Sequence, residues 1–391
     1  MRTFGKWLGR LLLVLIVGIV AVLIFAPGYI ERERNIVAPH DPFEISQAAA
    51  ALHADLFIGD WHVDPLLWKR DLNERGSRGH VDVPRMFEGN VALQVFTAVT
   101  KSPAGQNYEE NSADARDNIT LLALLQLWPV STWNSLTERA LYQAEKLHTF
   151  AAASDGKLRV ITTAAELDQF VADRAAGQKV VAGILGIEGA HPLEGDMANL
   201  DRLVAAGYRV IGLQHFFDNE LGGSLHGIGN QGLTEFGRAV VREVAARGLV
   251  LDVAHSSPQV VDDVLAITDM PIVVSHTGIY SHCQTPRNLQ NEQMQRIVAR
   301  GGVVGIGFWA DAVCDDSPDG VAGAIKAAVD LLGEDHVSLG SDYDGSVPTG
   351  FDVSEMPALT DALLRVGLSE TQIRKVMGEN MLRVLRARLG G

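Results

Sequence analysis

Five side chains of a kind that binds metal ions stand at the ends of apolar runs in this sequence. They are His62 and Asp64, two residues apart, followed by Glu188, His255 and His276. Side chains two apart on a strand share a face, so His62 and Asp64 can reach one ion together. Three imidazoles and two carboxylates without a cysteine suit zinc, or another borderline divalent ion, better than calcium. The set exceeds what one catalytic zinc ion uses and suits two ions that share a bridging carboxylate.

Eight short runs rich in β-branched residues position these side chains. In a (β/α)8 barrel the catalytic groups collect where the parallel strands end, because the loops there line the mouth. We therefore predict an α/β protein with the (β/α)8 TIM-barrel fold. The predicted strands are residues 55–61, 91–99, 180–187, 208–214, 248–254, 271–275, 302–309 and 336–341. Helices are predicted at 199–206, 233–247, 259–267, 291–299, 321–332 and 370–388, with a helical insertion at about 101–178 after the second strand.

Two more reactive side chains follow predicted strands, and only the second and seventh strands are followed by none. His215 comes after the fourth strand and Asp342 after the eighth. Asp344 shares the face of Asp342, so the pattern alone does not choose between them as an acid–base group. His226 and His282 lie in loops at the predicted mouth, and we interpret both as solvent-facing.

The N-terminal segment differs in kind from the rest of the chain. A basic flank precedes the run Leu11–Ile30, whose 20 residues carry no charge and are about as many as a helix needs to cross a hydrocarbon core of ~30 Å. A cleaved signal peptide is the alternative, but its apolar region is usually shorter and no A-x-A-like site follows Phe25. The basic flank should stay in the cytoplasm. We predict a single-pass signal anchor at 1–30 that contacts membrane lipid, a tether at 31–50, and an extracytoplasmic (periplasmic or extracellular) catalytic domain at 51–391.

The net charge and the cysteine content bear on the binding partners of the protein and on a possible disulfide. The formal net charge of −15 argues against a nucleic-acid partner, which would require a basic patch. Cys283 and Cys314 lie in the loops after the sixth and seventh strands, where either a disulfide or two free thiols would fit. The sequence leaves the oligomeric state open, a homodimer included.

Several motifs together resemble those of the membrane (renal-type) dipeptidases, peptidase family M19, within the amidohydrolase-like metal barrels. The resemblance extends from about Asp55 to Arg388. It is carried by the segments D-W-H-V-D at 60–64, V-D-V-P-R at 81–85, I-E-G-A-H at 187–191, G-L-T-E-F-G at 232–237, D-V-A-H-S at 252–256, S-H at 275–276 with R-N at 287–288, G-S-D-Y-D-G at 340–345 and G-E-N-M-L-R-V at 378–384.

The resemblance implies a dizinc metallo-exopeptidase that hydrolyses small dipeptides with a metal-bridged hydroxide. His62 and Asp64 would bind one zinc ion, His255 and His276 the other, and Glu188 would bridge them. Related barrels often bridge their metals with a modified lysine on the fourth strand. This chain has no lysine there and carries Glu188 on the third strand, which favours the dipeptidase branch.

The resemblance also implies three roles in substrate binding and catalysis. His215 would lie over the substrate carbonyl, Arg287 would bind the terminal carboxylate, and Asp342 would transfer protons. One segment departs from the family pattern: Phe216 and the residues to Gly223 replace the small polar residues and cysteine that usually follow the histidine. We expect this segment to line the pocket and to alter side-chain preference. The alternatives are another hydrolase on the same site, such as an N-acyl amino acid amidohydrolase or lactonase, and a catalytically inactive anchored binding protein.

Overall fold

The computed structural model describes residues 2–390, which contain nine parallel β-strands. Eight of them close into a barrel in the order β1-β2-β4-β5-β6-β7-β8-β9, and β9 returns to β1 through the pair Asp60 and Leu339. The strands are β1 Ile58–Val63, β2 Val91–Val99, β3 Leu158–Val160, β4 Val181–Glu188, β5 Tyr208–Gly212, β6 Val250–Asp252, β7 Val273–Thr277, β8 Val303–Ile306 and β9 Val337–Leu339. The predicted TIM barrel and its eight strands are confirmed.

The strands are apolar on both faces because helices cover the outside of the barrel and packed side chains fill its interior. Every residue of β2 and β4 is buried. Val210, Val250, Val273 and Val303, from four consecutive strands, belong to one buried cluster. This packing fixes the strand register and, with it, the positions of the side chains at the strand ends.

Fifteen α-helices are present within residues 2–390. They are α1 Arg2–Arg34, α2 Gln47–Ala54, α3 Val83–Glu88, α4 Asn118–Leu125, α5 Leu136–Ala153, α6 Ala164–Ala175, α7 Met197–Ala205, α8 Glu235–Ala246, α9 Pro258–Ile267, α10 Asn291–Val298, α11 Ala310–Val313, α12 Pro318–Leu332, α13 Met356–Arg365, α14 Glu370–Arg374 and α15 Asn380–Arg388. Side-chain oxygens of Ser135, Thr234 and Ser317 cap the first turns of α5, α8 and α12.

Two features differ from the sequence prediction. The short strand β3 pairs with the start of β4 outside the closed barrel and was not predicted. The predicted helix 370–388 is divided into α14 and α15 by a π-helical turn, Lys375–Glu379. This wider turn brings Gly378 against the backbone of Phe57, where a Cβ atom would lie only 2.1 Å from the carbonyl oxygen.

The N-terminal helix α1 leaves the barrel beside the insertion that contains α4 and α5. From Lys6 to Arg34 it is long and apolar enough to cross a membrane, and little of its most apolar 18-residue window is buried, whereas Pro27 and Glu31 near its end are buried. Near its C-terminal end, α1 packs against α4 through Ile30. The following residues lie against the barrel, since the amide of Ala38 donates to Thr349 and the amide of Thr349 donates to Ile36.

A disulfide joins Cys283 to Cys314, with their Cα atoms 5.6 Å apart. It links the loop after β7 to the end of α11, which follows β8. Of the two alternatives left by the sequence, the structure therefore shows the paired cysteines.

Candidate dinuclear metal site and active site

The predicted site residues meet in one buried cluster at the carboxyl ends of the barrel strands. Each is less than one-tenth exposed. Most of them end a strand or follow one within three residues, as expected for the catalytic face of a TIM barrel. The cluster contains His62, Asp64, Glu188, His215, His255, His276, Arg287 and Asp342.

The carboxylate of Glu188 lies at the centre of the cluster. Its Oε1 is 3.1 Å from Nε2 of His255, 3.3 Å from Nε2 of His276 and 3.5 Å from Nε2 of His62. Its Oε2 is 3.3 Å from Nε2 of His215. Lone pairs of neutral imidazoles repel a carboxylate at this range, so a proton or a cation must lie among these atoms. A carboxylate with nitrogen donors on both oxygens has the arrangement expected of a bridging ligand.

Two neighbouring atoms have no hydrogen-bond partner among residues 2–390. They are Nε2 of His62 and Oδ2 of Asp64, which are buried and lie 3.4 Å apart. Buried polar atoms in native proteins are nearly always satisfied. An Oδ1 atom of Asp342 lies 3.9 Å from the same His62 nitrogen. These unsatisfied atoms and the mixed nitrogen and oxygen donors fit a divalent ion such as zinc.

A second layer of hydrogen bonds orients two of the histidines. Ser275 donates its hydroxyl to Oδ2 of Asp252 at 2.6 Å, so its oxygen accepts from Nδ1 of His276 at 2.8 Å and from Nδ1 of His62 at 3.3 Å. With the hydrogen on Nδ1, each ring directs the lone pair of Nε2 into the cluster. Such outer partners fix the tautomer of metal-binding histidines.

Asp64 and the loop after β9 are held in a similar way. Thr97 donates its hydroxyl to Oδ1 of Asp64 at 2.5 Å, which leaves Oδ2 free. Asp60 accepts from the amides of His62 and Ser341 at 3.2 and 2.9 Å. Sequence reasoning assigned no role to Asp60, Asp252 or Ser275. The signal available was a carboxylate inside each of two apolar strands, where burial is costly without hydrogen bonds.

The charges of the cluster shift the pKa values of its members in opposite directions. Burial alone would lower the pKa of His62, but the negative charges of Asp64, Glu188 and Asp342 raise it to about 10. Burial raises the pKa of Glu188 well above its usual value and that of Asp342 to about 8. Burial also lowers the pKa of His255 well below its usual value, and the charge of Arg287 adds to this effect. In the protein alone these shifts favour a protonated His62 beside protonated carboxyl groups of Glu188 and Asp342, and a neutral imidazole at His255.

Asp342 and Asp344, which the sequence pattern could not separate, have different surroundings. Asp344 is fully buried and accepts hydrogen bonds from Arg70, from the amide of His80 at 2.7 Å and from the amide of Val81 at 3.3 Å. Asp342 instead lines the central cavity. Both residues have a left-handed backbone, with φ at 61° and 65°, so the backbone conformation does not separate them, whereas access to the cavity does. The geometry therefore favours Asp342 as the acid–base group.

Arg287 is fully buried at the edge of the cavity, so it is not a surface arginine. Its guanidinium donates to the carbonyl oxygens of His276 at 2.6 Å and Ala254 at 3.2 Å. It also lies over the indole of Trp309, 5.3 Å from the ring centroid. These contacts fix the group and leave some of its N–H donors available to a ligand.

The cavity above the cluster has a volume of about 500 Å³ including its open mouth. The polar residues Glu188, His215, His255, Arg287 and Asp342 line one part of it. Leu67, Val99, Tyr108, Ile119 and Phe216 contribute apolar and aromatic surface to another part, and the uncharged polar residues Ser102, Gln106 and Ser346 also line the cavity. The expected contribution of the segment after His215 to the pocket is thus confirmed for Phe216.

Of the two mouth histidines, His282 is exposed as predicted, but the prediction for His226 is wrong. His226 is fully buried, with Nδ1 2.9 Å from the carbonyl of Tyr108 and its ring stacked on Phe216 at 4.9 Å. The loop after β5 folds back over the mouth, where the amide of Leu225 donates to the carbonyl of His255. This long-range packing excludes water from His226.

A parallel eight-stranded barrel with histidines and carboxylates converging at its carboxyl end defines a metal-dependent hydrolase of the amidohydrolase-like type. The chain belongs to the family described as Membrane dipeptidase (Peptidase family M19), whose pattern matches residues 46–388. An uncharacterized dipeptidase of Schizosaccharomyces pombe is 29% identical over 331 residues, which are 80% of this chain and 73% of the yeast protein.

Two solved structures support the same assignment. A dipeptidase described as a metallo peptidase of family M19 has a TM-score of 0.69 and 28% identity, covering 86% of this chain and 99% of its own. A metallo peptidase from Rhodobacter sphaeroides, solved with a phosphinate mimic of the dipeptide L-Ala-D-Ala, has a TM-score of 0.67 and 27% identity, covering 85% of this chain and 99% of its own.

Proposed function

We propose that this protein is a membrane-anchored dizinc dipeptidase whose catalytic domain lies outside the cytoplasm. The observation that carries the proposal is the position of Glu188, whose Oε1 lies within 3.5 Å of nitrogens from both proposed ligand pairs, His62 of one pair and His255 and His276 of the other. Membership of the dipeptidase family supports the reaction class. An inactive binding protein is disfavoured because all five predicted donors converge in one buried cluster.

In this proposal the donors would divide into two sets that share Glu188. His62 and Asp64, with Asp342 nearby, would hold one zinc ion, whereas His255 and His276 would hold the other. Bound zinc ions supply a water of lowered pKa as nucleophile and polarise the carbonyl group that it attacks. The role of the protein is to fix the donors, exclude bulk water and bind the substrate around them.

Arg287 would bind the terminal carboxylate of the substrate. Two backbone carbonyls and the face of Trp309 hold its guanidinium in place, so the side chain loses little further freedom when a ligand binds. A guanidinium can bind a carboxylate with two parallel hydrogen bonds. A fixed site for the substrate carboxylate beside Glu188 would limit the distance between the C-terminus of the substrate and its scissile bond, which favours dipeptides.

Asp342 and His215 would act on the reacting groups. Asp342 lines the cavity with its carboxylate and can accept a proton from the attacking water and return it to the leaving amine. The Nδ1 atom of His215 lies 3.1 Å from the carbonyl of Lys101 and therefore carries a hydrogen. Burial lowers the pKa of His215 to about 4, so Nε2 is unprotonated in the free enzyme and would donate to the developing oxyanion only after the ring takes up a second proton there.

Leu67, Val99, Ile119 and Phe216 in the cavity wall favour substrates with apolar side chains. The Rhodobacter sphaeroides relative bound a mimic of L-Ala-D-Ala, so a D-residue at the second position is part of the proposal. An N-acyl amino acid amidohydrolase or lactonase on the same site is the alternative. The test assays the zinc-loaded enzyme against L-L and L-D dipeptides, N-acyl amino acids and lactones. Preference for free dipeptides supports the proposal, whereas faster turnover of acyl amino acids or lactones contradicts it.

The proposed location is supported by the apolar helix α1 and by the disulfide. A structural disulfide is typical of proteins outside the cytoplasm. A reporter that functions only outside the cytoplasm should be active when it is fused to the C-terminus. Activity of a cytoplasm-specific reporter would contradict the orientation, and release of a soluble form beginning near Gly28 would favour a cleaved signal peptide.

A further inference from the structure

The insertion after β2 presents an unusual apolar surface. Residues 118–137 carry no charged side chain in a protein whose net charge is −15. Four large apolar residues in this stretch are exposed, namely Leu121 at 56%, Leu124 at 37%, Leu127 at 61% and Val130 at 70%. Outside α1, the other exposed large apolar residues of the described chain are Ile36 and Ile228. Contiguous exposed apolar surface marks contact with a partner or a membrane.

The opposite side of α4 is part of the protein core. Ile119 lines the catalytic cavity, and Leu122 and Ala123 pack in a cluster with Trp128. Ile30, the last residue of the apolar run in α1, packs against this same cluster. The helix α4 therefore lies beside the C-terminal part of the helix proposed to cross the membrane.

The connection from α1 to the barrel is held in place by buried polar contacts. Glu31 is 1% exposed and pairs with Arg70 at 2.9 Å and with Arg78 at 2.6 Å. The side chain of Asn35, also buried, accepts a hydrogen bond from the amide of Ser346 at 2.9 Å. A charge pair with this little exposure is costly to break. The barrel is therefore held at a fixed orientation relative to α1.

These contacts fix the depth of α4. The apolar run of α1 ends at Ile30, so the boundary of the hydrocarbon region lies near that residue if α1 spans the bilayer. Because Ile30 touches the α4 cluster, the exposed leucines of α4 lie close to the same boundary. Trp133, which is partly exposed, lies just beyond this surface, and tryptophan is enriched at membrane interfaces.

We propose that α4 and the turn that follows it, from Leu121 to Val130, are seated in the outer boundary of the bilayer that α1 crosses. The partner is lipid, with the apolar side chains at the junction of head groups and acyl chains. Because Ile119 on the inner side of α4 lines the cavity, the catalytic mouth then lies about one helix diameter, ~10 Å, from the membrane surface. This inference rests on the proposed anchoring by α1.

The test uses the full-length protein in phosphatidylcholine vesicles that contain acyl-brominated lipid. A fluorescent label is attached to Leu127→Cys or Leu121→Cys, and to Asp269→Cys as the control. Asp269 has a side chain 92% exposed and precedes β7, at the amino end of the barrel away from the mouth. Brominated lipid should quench the α4 labels at least about threefold more than the control label, because interfacial side chains enter the acyl boundary.

A charged variant provides a second readout. Leu124→Glu/Leu127→Glu should reduce quenching of a label at Val130→Cys to the control level while leaving turnover of a soluble dipeptide unchanged. Flotation of the vesicles reports α1 insertion separately. If the protein floats but the α4 labels are quenched no more than the control, the inference is wrong while the anchor stands. If the protein does not float, the proposed anchoring fails, and the inference fails with it.

Discussion

Asp342 and Asp344 leave the same loop in opposite directions, one into the catalytic cavity and the other into contact with Arg70 and two backbone amides. The two carboxylates are thus separated in function by their surroundings. Asp342 remains available to the substrate, whereas Asp344 holds the loop whose residues Gly345 and Ser346 also line the cavity.

Substitution by asparagine should mainly lower activity at Asp342 and mainly lower stability at Asp344. Asp342→Asn should lower kcat by about two to four decades, the usual contribution of a general acid–base group, with little effect on the thermal unfolding temperature. Asp344→Asn should destabilise the protein by about 1–3 kcal/mol, because it removes one of the two buried carboxylates that pair with Arg70, and Glu31 remains as the other. Kinetics and thermal unfolding measured on both variants check this. Equal loss of activity without loss of stability in Asp344→Asn would contradict the assignment.

Glu188→Gln should abolish hydrolysis and lower the bound metal to one ion per chain or less. A neutral amide bridges two cations poorly, and the histidine nitrogens on both sides would lose their common anion. Metal analysis after dialysis, together with a circular dichroism spectrum to show that the barrel is intact, measures this effect. Retention of two ions by the folded variant would mean that Glu188 is not the bridge.

Arg287→Ala should reduce kcat/KM for a free dipeptide by about one to two decades. Hydrogen bonds to charged groups contribute roughly 1.5–3 kcal/mol, and each 1.4 kcal/mol corresponds to about a factor of ten. Arg287→Lys should recover only part of the loss, since it keeps the charge but not the paired donors. A dipeptide amide, which lacks the carboxylate, is the matched control substrate. If the alanine variant slows both substrates equally, Arg287 does not bind the terminal carboxylate.

The metal-free protein should become less stable as the pH rises from 6.5 to 8. Asp342 has a pKa raised from 3.8 to about 8, and His62 has one raised from 6.5 to about 10. Each group binds its proton more tightly in the folded state than in the unfolded state. Its contribution to the free energy of unfolding is therefore complete below the unfolded-state pKa and is lost as the pH rises to the folded-state pKa. Both contributions decrease in this window. Thermal unfolding in the presence of a chelator measures how stability changes with pH. His62→Gln should make stability depend less steeply on pH. A stability that rises between pH 6.5 and 8 would contradict the prediction.

The sequence predicts the barrel and its mouth well because each strand carries its own signal. Apolar β-branched runs form strands wherever they are packed on both faces, and residues that follow consecutive parallel strands must meet at one end of the barrel. The convergence of Glu188, His255 and His276 required no information beyond this periodicity.

The features that sequence reasoning missed depend on contacts between distant segments. The role of Ser275 arises from its simultaneous contacts with Asp252 and His62, which lie on different strands. The burial of His226 requires the insertion to supply Tyr108. Strand β3 has only three residues, two of them partly buried, so it has no clear pattern of its own. None of these contacts produces a periodic pattern in the local sequence.

In the proposed mechanism, hydrolysis requires two metal ions held around Glu188. The most direct measurement titrates the metal-free, full-length enzyme with zinc while bound zinc and turnover of a free dipeptide are followed together. We predict that activity reaches its maximum at about two ions per chain, as the bridged arrangement requires. Full activity with one ion per chain, or in the enzyme stripped of metal, would contradict the two-metal mechanism.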